Sequence, residues 1–250
     1  MAATLLGGAL LAACGGAHPA AGGTAGASQG AAGASGAGQA PTAACATGPA
    51  GTAAFTLAVA MEPDGGVSKP AGKCWAAIQY TGIDNASTGT AQAGDTGQFK
   101  VAWNAQNLYI LAWIQEWPLN ANGSELYEND SIEFYLAGDG SKEQGSYGPN
   151  DCQVTVDYTG QVATDDTCNT SRTFTPVEQV VPNKGYYSEL IVPWTTLNVA
   201  KADAGQQYAF SIANDISDSS GTNRLVQMQW AGGENDNWQQ TADWGTITLK

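Results

Sequence analysis

From residue 98 onward, apolar and polar positions alternate along the chain. Phe99, Val101 and Trp103 interleave with Lys100, Ala102 and Asn104, and Leu108, Ile110, Ala112 and Ile114 resume the pattern after a turn-like Asn104–Asn107. A period of two marks a strand, because successive side chains leave opposite faces of a pleated backbone. The same reading predicts strands over Ser131–Ala137, Cys152–Tyr158, Tyr186–Val192, Gln207–Asn214, Arg224–Trp230 and Thr246–Leu249, separated by clusters of Gly, Asn, Asp, Ser and Pro. No segment holds a 3.6-residue period over a dozen positions, and there is no internal repeat. Short strands joined by polar turns define an all-β chain, a sandwich or a barrel.

Composition alters this picture at the N-terminal end. Of 250 residues, the first Lys, Arg, Asp or Glu is Glu62, so all 9 basic and 23 acidic residues lie from Glu62 onward. Residues 1–14 read as a signal peptide, 15–44 as a linker and 45–250 as the folded domain. The apolar run Thr4–Ala13 is too short for a membrane-spanning helix, which needs about 20 residues, and suits the core of an export signal. It ends in Leu11-Ala12-Ala13-Cys14, which resembles a bacterial lipobox and makes Cys14 the expected lipidation site. No basic residue precedes that core. Gly15–Ala44 is Ala, Gly, Ser and Thr with a few Pro and Gln; it lacks the apolar surface to offset its ordering entropy and reads as a flexible tether. The expected product is exported and held at a bacterial cell envelope, touching the membrane through its lipid only.

The net charge of −14 argues against nucleic acid, whose binding relies on clustered Lys and Arg to release counterions. The sole histidine, His18, lies in the linker. The folded part therefore has no imidazole for a Ser-His-Asp or Cys-His nucleophile system, a His-ligated zinc or a His-ligated haem. Five cysteines become four if Cys14 carries lipid. Cys152 and Cys168 flank two β-like stretches around Thr159-Gly160, so a hairpin centred near Gly160 would pair them and leave Cys45 for Cys74. Other pairings stay open on sequence alone. No C-x-x-C or Cys/His spacing suggests a metal site.

Eight tryptophans are present. Trp75, Trp103 and Trp194 sit among apolar neighbours and are expected in the core, and Trp113 fits either core or surface. Tyr127 and Trp238 lie in polar, loop-like runs, Gly-Ser-Glu-Leu-Tyr127-Glu-Asn-Asp and Gly-Gly-Glu-Asn-Asp-Asn-Trp238-Gln-Gln. Such a ring either folds back onto the sandwich or presents its face to a ligand. A sugar offers an apolar C–H face for stacking and hydroxyls that need directed donors and acceptors, which neighbouring acidic and amide side chains supply.

A set of ordered motifs resembles the family 9 carbohydrate-binding modules over roughly residues 70–250. They are Phe99-Lys-Val-Ala-Trp103, Asn107-Leu-Tyr-Ile-Leu-Ala112, Tyr127-Glu-Asn-Asp-Ser-Ile-Glu-Phe134, Gly185-Tyr-Tyr-Ser-Glu-Leu-Ile-Val-Pro-Trp194, an Asn214-Asp215 turn, Asn235-Asp-Asn-Trp238 and Asp243-Trp-Gly245. The resemblance implies an all-β fold, a single antiparallel β-sandwich of jelly-roll type, that catalyses nothing and binds sugars, in well-known members at chain ends, between two facing aromatics. Tyr127, normally Trp, and Trp238 match those aromatics. Glu133 matches a carboxylate for sugar hydroxyls, Asn235 an amide beside the second aromatic, and Arg224 a basic residue on a neighbouring strand. Gln153 falls on a strand that usually carries an Arg two residues later, here Thr155. The implied ligand is a poly- or oligosaccharide of xylan or cellulose type. A glycoside hydrolase becomes a candidate partner and a structural calcium ion is implied, without residues here that identify either. Two alternatives stand beside this reading. One is a two-carboxylate glycosidase built on Glu128 and Glu133; the other is an adhesive surface sandwich without a sugar site.

Overall fold

The computed structural model describes residues 55–60, 75, 78–143, 145–164, 174–232 and 236–249. Among them run thirteen strands: β1 Phe55–Ala60, β2 Thr81–Ile83, β3 Asn85–Thr88, β4 Thr96–Trp103, β5 Asn107–Gln115, β6 Ser131–Ala137, β7 Asp151–Asp157, β8 Val162–Thr164, β9 Thr175–Val181, β10 Gly185–Pro193, β11 Gln207–Ser217, β12 Arg224–Gln229 and β13 Gly245–Leu249. Two single turns of 3-10 helix, Leu126–Glu128 and Trp194–Leu197, interrupt them.

The strands form two layers. In the first, β11 is the axis. One edge pairs with β6, followed by β7 and β8, and the other pairs with β13 near its start and β12 near its end, with β3 beyond β12. The second layer runs β4, β5, β10, β9, with β2 on the outer edge of β4. These pairings are all antiparallel, as the sequence predicts. The exception is β1, which lies parallel to β13 over Phe55–Ala58 and to β4 over Val59–Ala60, and so joins the layers.

The period-two pattern sorts side chains between the two faces of each layer. Ile132, Phe134 and Leu136 of β6, Phe210 and Ile212 of β11 and Val226 of β12 meet Phe99, Val101, Ile110, Ala112, Ile114 and Leu190 in one buried cluster between the layers. Burying each larger side chain contributes about 1.5–3 kcal/mol. Trp75, Trp103 and Trp194 are buried as expected. Trp75 covers the outer face of the second layer with Ile78, Tyr109 and Leu111 rather than joining the central cluster.

One expectation is corrected. Asn214-Asp215 is not a turn: β11 continues to Ser217, and both residues are fully buried within it. An Asn-Asp pair reads as a turn because both side chains bond local backbone well, yet here flanking pairing with β6 and β12 holds the strand. The hairpin β7–β8 places Val156 opposite Val162 and so centres on Thr159, one residue before Gly160. Cys152 itself is disulfide-bonded and lies in the central cluster. Cys14, Cys45, Cys74 and Cys168 lie outside the described residues, so the pairing with Cys168 stays an expectation.

One buried group gives the fold a pH dependence. Glu116 is buried at the end of β5, and burial pushes its carboxyl from the ordinary 4.5 up to about 10, with Asp130, Asp95 and Asp215 adding in the same direction. A carboxyl whose folded pKa is raised stabilises fully below its unfolded pKa and loses that contribution as pH rises toward the folded one. Between about pH 4.5 and 10 the folded state therefore loses stability on the order of 1 kcal/mol per pH unit. Glu116→Gln, which mimics the protonated acid, should match the wild type in thermal unfolding near pH 5 and exceed it near pH 8. Parallel loss in both proteins would contradict a proton held on Glu116.

Candidate functional site

The outer face of the first layer carries polar side chains where the inner face carries apolar ones. Ser131, Glu133 and Tyr135 of β6 line up with Thr155 and Asp157 of β7, Ser211 and Asp215 of β11, and Gln227 and Gln229 of β12, all buried. Loops folded over this face bury them. Where the cover parts, Tyr127, Glu133, Gln153, Arg224 and Trp238 line a cleft of about 380 Å³. The structure thus brings together five of the six residues expected at the site; Asn235 lies outside the described residues.

Buried charge organises the floor. Glu133 is 2 % exposed. Arg224 Nη1 donates to Glu133 Oε1 at 3.3 Å and to Asp215 Oδ1 at 3.1 Å. The Tyr135 hydroxyl and Gln153 Nε2 both donate to Glu133 Oε2, the latter at 3.0 Å. Asp215 also accepts from Gln227 Nε2 at 3.1 Å and Ser131 Oγ at 3.1 Å. Burial and the Glu133 charge push the Asp215 carboxyl well above the usual range, against the pull of Arg224. Burial lowers the Arg224 pKa, and the two carboxylates outweigh that and leave it raised. One guanidinium nitrogen serves both acids. Among the described residues, Nε and Nη2 make no hydrogen bond, and they remain as donors toward the cleft.

The walls are set by their loops. Tyr127 sits on the 3-10 turn Leu126–Glu128, where Glu125 and Glu128 form a capping box. That turn is tied down behind by Asn129 and Asp130. Asn129 accepts from Gly123 N at 2.8 Å and donates to Asp157 at 3.2 Å; Asp130 accepts from Asn120 N at 2.5 Å and Ser217 N at 2.8 Å. The Tyr127 ring lies 5.3 Å from Arg224 Cζ, a cation–π distance.

Trp238 rides on a turn pinned by Asn237, whose amide donates to Gln229 Oε1, to Ala231 O at 2.7 Å and to Ser211 Oγ at 3.3 Å. Its carbonyl accepts from Tyr147 OH at 2.5 Å and Trp244 Nε1 at 3.1 Å. Gly232, at φ 103°, lies so close that a Cβ would stand 2.6 Å from Asn237 Oδ1, so only glycine fits there. Tyr127 is 44 % and Trp238 50 % exposed, so neither ring is spent on the core.

Thr155 stands opposite Glu133 in the β6–β7 ladder. It supplies a hydroxyl where the family pattern has a forked cation. Glu128 is a scaffold rather than a catalytic acid: its Oε2 accepts from Glu125 N, Ser124 N and Ser124 Oγ. The Glu125 backbone bond, with that from the Ser124 hydroxyl, holds its carboxyl below the ordinary value, the wrong direction for a proton donor. Sequence reasoning did not mark Asp215 as part of the floor, and missed Tyr135 and Asn237. The alternation places Tyr135 on the Glu133 face, so that signal was present. Among the described residues no group of three or more His, Cys, Asp or Glu side chains is placed to hold a metal ion.

A β-sandwich with two half-exposed rings flanking a floor of fixed donors and acceptors is the architecture of a sugar-binding module. The chain belongs to the carbohydrate family 9 binding domain-like family, whose sequence model matches residues 67–250. That is a family of non-catalytic binding modules, so the matched domain binds carbohydrate and is not an enzyme. Its fold is similar to that of a family 9 carbohydrate-binding module from Caldicellulosiruptor kristjanssonii solved with cellotriose. That similarity has TM-score 0.68 and 23 % identity, and covers 78 % of this chain and 93 % of that one. A structure of such a module from the same organism with glucose gives TM-score 0.66 and 24 % identity, over 78 % of this chain and 94 % of that one. The chain is also 23 % identical over 175 residues to endo-1,4-beta-xylanase A of Thermotoga neapolitana, covering 70 % of this chain and 16 % of that protein. It is 26 % identical over 158 residues to the exoglucanase XynX of Acetivibrio thermocellus, covering 62 % of this chain and 14 % of that protein. It thus spans less than a fifth of the curated relatives it matches.

Proposed function

We propose that the protein captures xylan- or cellulose-type oligosaccharides in the cleft between Tyr127 and Trp238, while a lipid on Cys14 and the tether of residues 15–44 hold it at the cell envelope. The observation that carries the sugar site is that both half-exposed rings line one cleft whose floor holds Glu133, Gln153 and Arg224. A pyranose ring stacks its C–H face on the aromatics, and its hydroxyls donate to Glu133 and accept from Gln153 and the unused Arg224 donors. Structures of relatives with cellotriose and glucose support the ligand class, and the relatives named as xylanases extend it to xylan. Titrating cellobiose or xylobiose into labelled protein should shift the Trp238 indole and Arg224 guanidinium NMR signals. The Trp194 indole, which donates to Asn104 O at 2.8 Å, should stay still. Uniform or absent shifts would refute the assignment. The anchor is tested separately: fatty-acid labelling in a bacterial host should disappear in Cys14→Ser, and its persistence would exclude Cys14.

A further inference from the structure

A second cleft, of about 540 Å³, opens beside the end of β5 and is lined in part by Asp95, Trp113, Glu116, Trp117, Asn183 and Lys184. The second layer has its own aromatic stripe on the outer face. Tyr109, Leu111 and Trp113 alternate along β5, and Trp113 pairs across the ladder with Tyr187 of β10, ring centroids 4.4 Å apart. The Trp75 segment covers Tyr109 and Leu111. Trp113 lies beyond that cover and is only partly buried, and Trp117 is 47 % exposed.

The polar side chains are of both signs. Asp95 and Lys184 stand on the rim, and Asn183, at φ 61°, holds the tight β9–β10 turn. Glu116 adds an independent observation: it lines the cleft, is 8 % exposed, and among the described residues its Oε2 has no hydrogen-bond partner. A buried oxygen without a partner costs about 1–3 kcal/mol unless something satisfies it, and a ligand hydroxyl would do so once the Glu116 side chain turns toward the cleft. Two indoles beside mixed donors and acceptors suit a neutral, hydroxyl-rich ring better than a polyanion, which the net charge of −14 would repel.

We propose that this cleft is a second saccharide-binding surface, taking a stretch of neutral polysaccharide whose rings stack on Trp117 and Trp113 and whose hydroxyls meet Asp95, Glu116 and Lys184. Its ligand class rests on the sugar-binding reading of the chain, but its residues are separate from the Tyr127–Trp238 cleft. Two sites on one polymer raise retention through effective concentration without changing either site's own affinity.

The test uses the full chain with insoluble xylan, amorphous cellulose and soluble cellotriose. Trp117→Ala should weaken polymer retention roughly tenfold or more and leave cellotriose affinity at the first cleft unchanged. Trp238→Ala should keep residual polymer binding that the Trp117→Ala/Trp238→Ala double variant loses. Asp95→Ala/Lys184→Ala, which leaves the rings in place, should reproduce part of the Trp117→Ala loss. Wild-type retention by Trp117→Ala on both polymers, or no retention of the wild type on either, would overturn the proposal. A change in sedimentation mass with unchanged polymer binding would do the same and mark the patch as a protein contact. If Trp117→Ala abolishes binding while Trp238→Ala does not, the first cleft is misassigned and the second stands.

Discussion

Replacing Arg224 with methionine should destabilise the fold by about 3–5 kcal/mol and bring sugar binding below detection. The guanidinium is the only cation within hydrogen-bonding distance of two buried acids among the described residues. Glu133 is 2 % exposed and Asp215 not at all, so removing Arg224 leaves two buried acids without the cation that holds them. The loss has a defined pH signature. Without the cation the Asp215 carboxyl, which burial already pushes up, takes up its proton more readily, so its folded pKa rises further and the variant becomes less unstable as pH falls. The gap from wild type should be wider at pH 8 than at pH 5 in chemical denaturation. Arg224→Lys separates charge from geometry: an ammonium offsets much of the buried charge but lacks the planar fork. It should recover most of the stability and little of the binding. A Met variant as stable as wild type at pH 8 would show that the carboxylates do not depend on Arg224.

Trp238→Ala should have the opposite profile. Trp238 is 50 % exposed, and the turn that carries it is held by the Asn237 side-chain amide and backbone carbonyl. Unfolding free energy should therefore move by about 0.5 kcal/mol or less. Affinity should fall about 30-fold or more, the equivalent of about 2 kcal/mol for a central aromatic anchor. Tyr127→Ala should weaken binding in the same sense. Tyr127→Trp, which widens that wall to the form the family pattern carries, should strengthen it.

The strands of the central cluster were legible because their alternation is clean. Ser131–Ala137 was read to the residue, and the run Phe99–Trp103 falls within β4. The short strands β2 and β3, Thr-Gly-Ile and Asn-Ala-Ser-Thr, were not, since they are polar and draw their order from pairing with β4 and β12. β9 was missed for a related reason: it carries Pro176, is half-buried or exposed throughout, and pairs along one side only, with β10.

At the site, Tyr127, Glu133, Gln153, Arg224 and Trp238 were legible through ordered motifs. The partners that fix them were less so. Asp215 was seen but misread as part of a turn, because its role depends on β11 lying between β6 and β12. Asn237 adjoins Trp238, yet only the folded turn shows it, rather than a more distant amide, locked under the ring. The second cleft was invisible for a further reason. Trp113 and Trp117 acquire meaning only once Trp75 is seen to cover the rest of that face.

The central claim is that one cleft, walled by Tyr127 and Trp238, binds saccharide. Isothermal titration of the full chain with cellotriose and xylotriose, run beside Trp238→Ala of verified fold, tests it most directly. Saturable one-site binding by the wild type to at least one of them, weakened about 30-fold or more in the variant, is the predicted result. Equal binding by both proteins, or no binding of either sugar by the wild type, would contradict it.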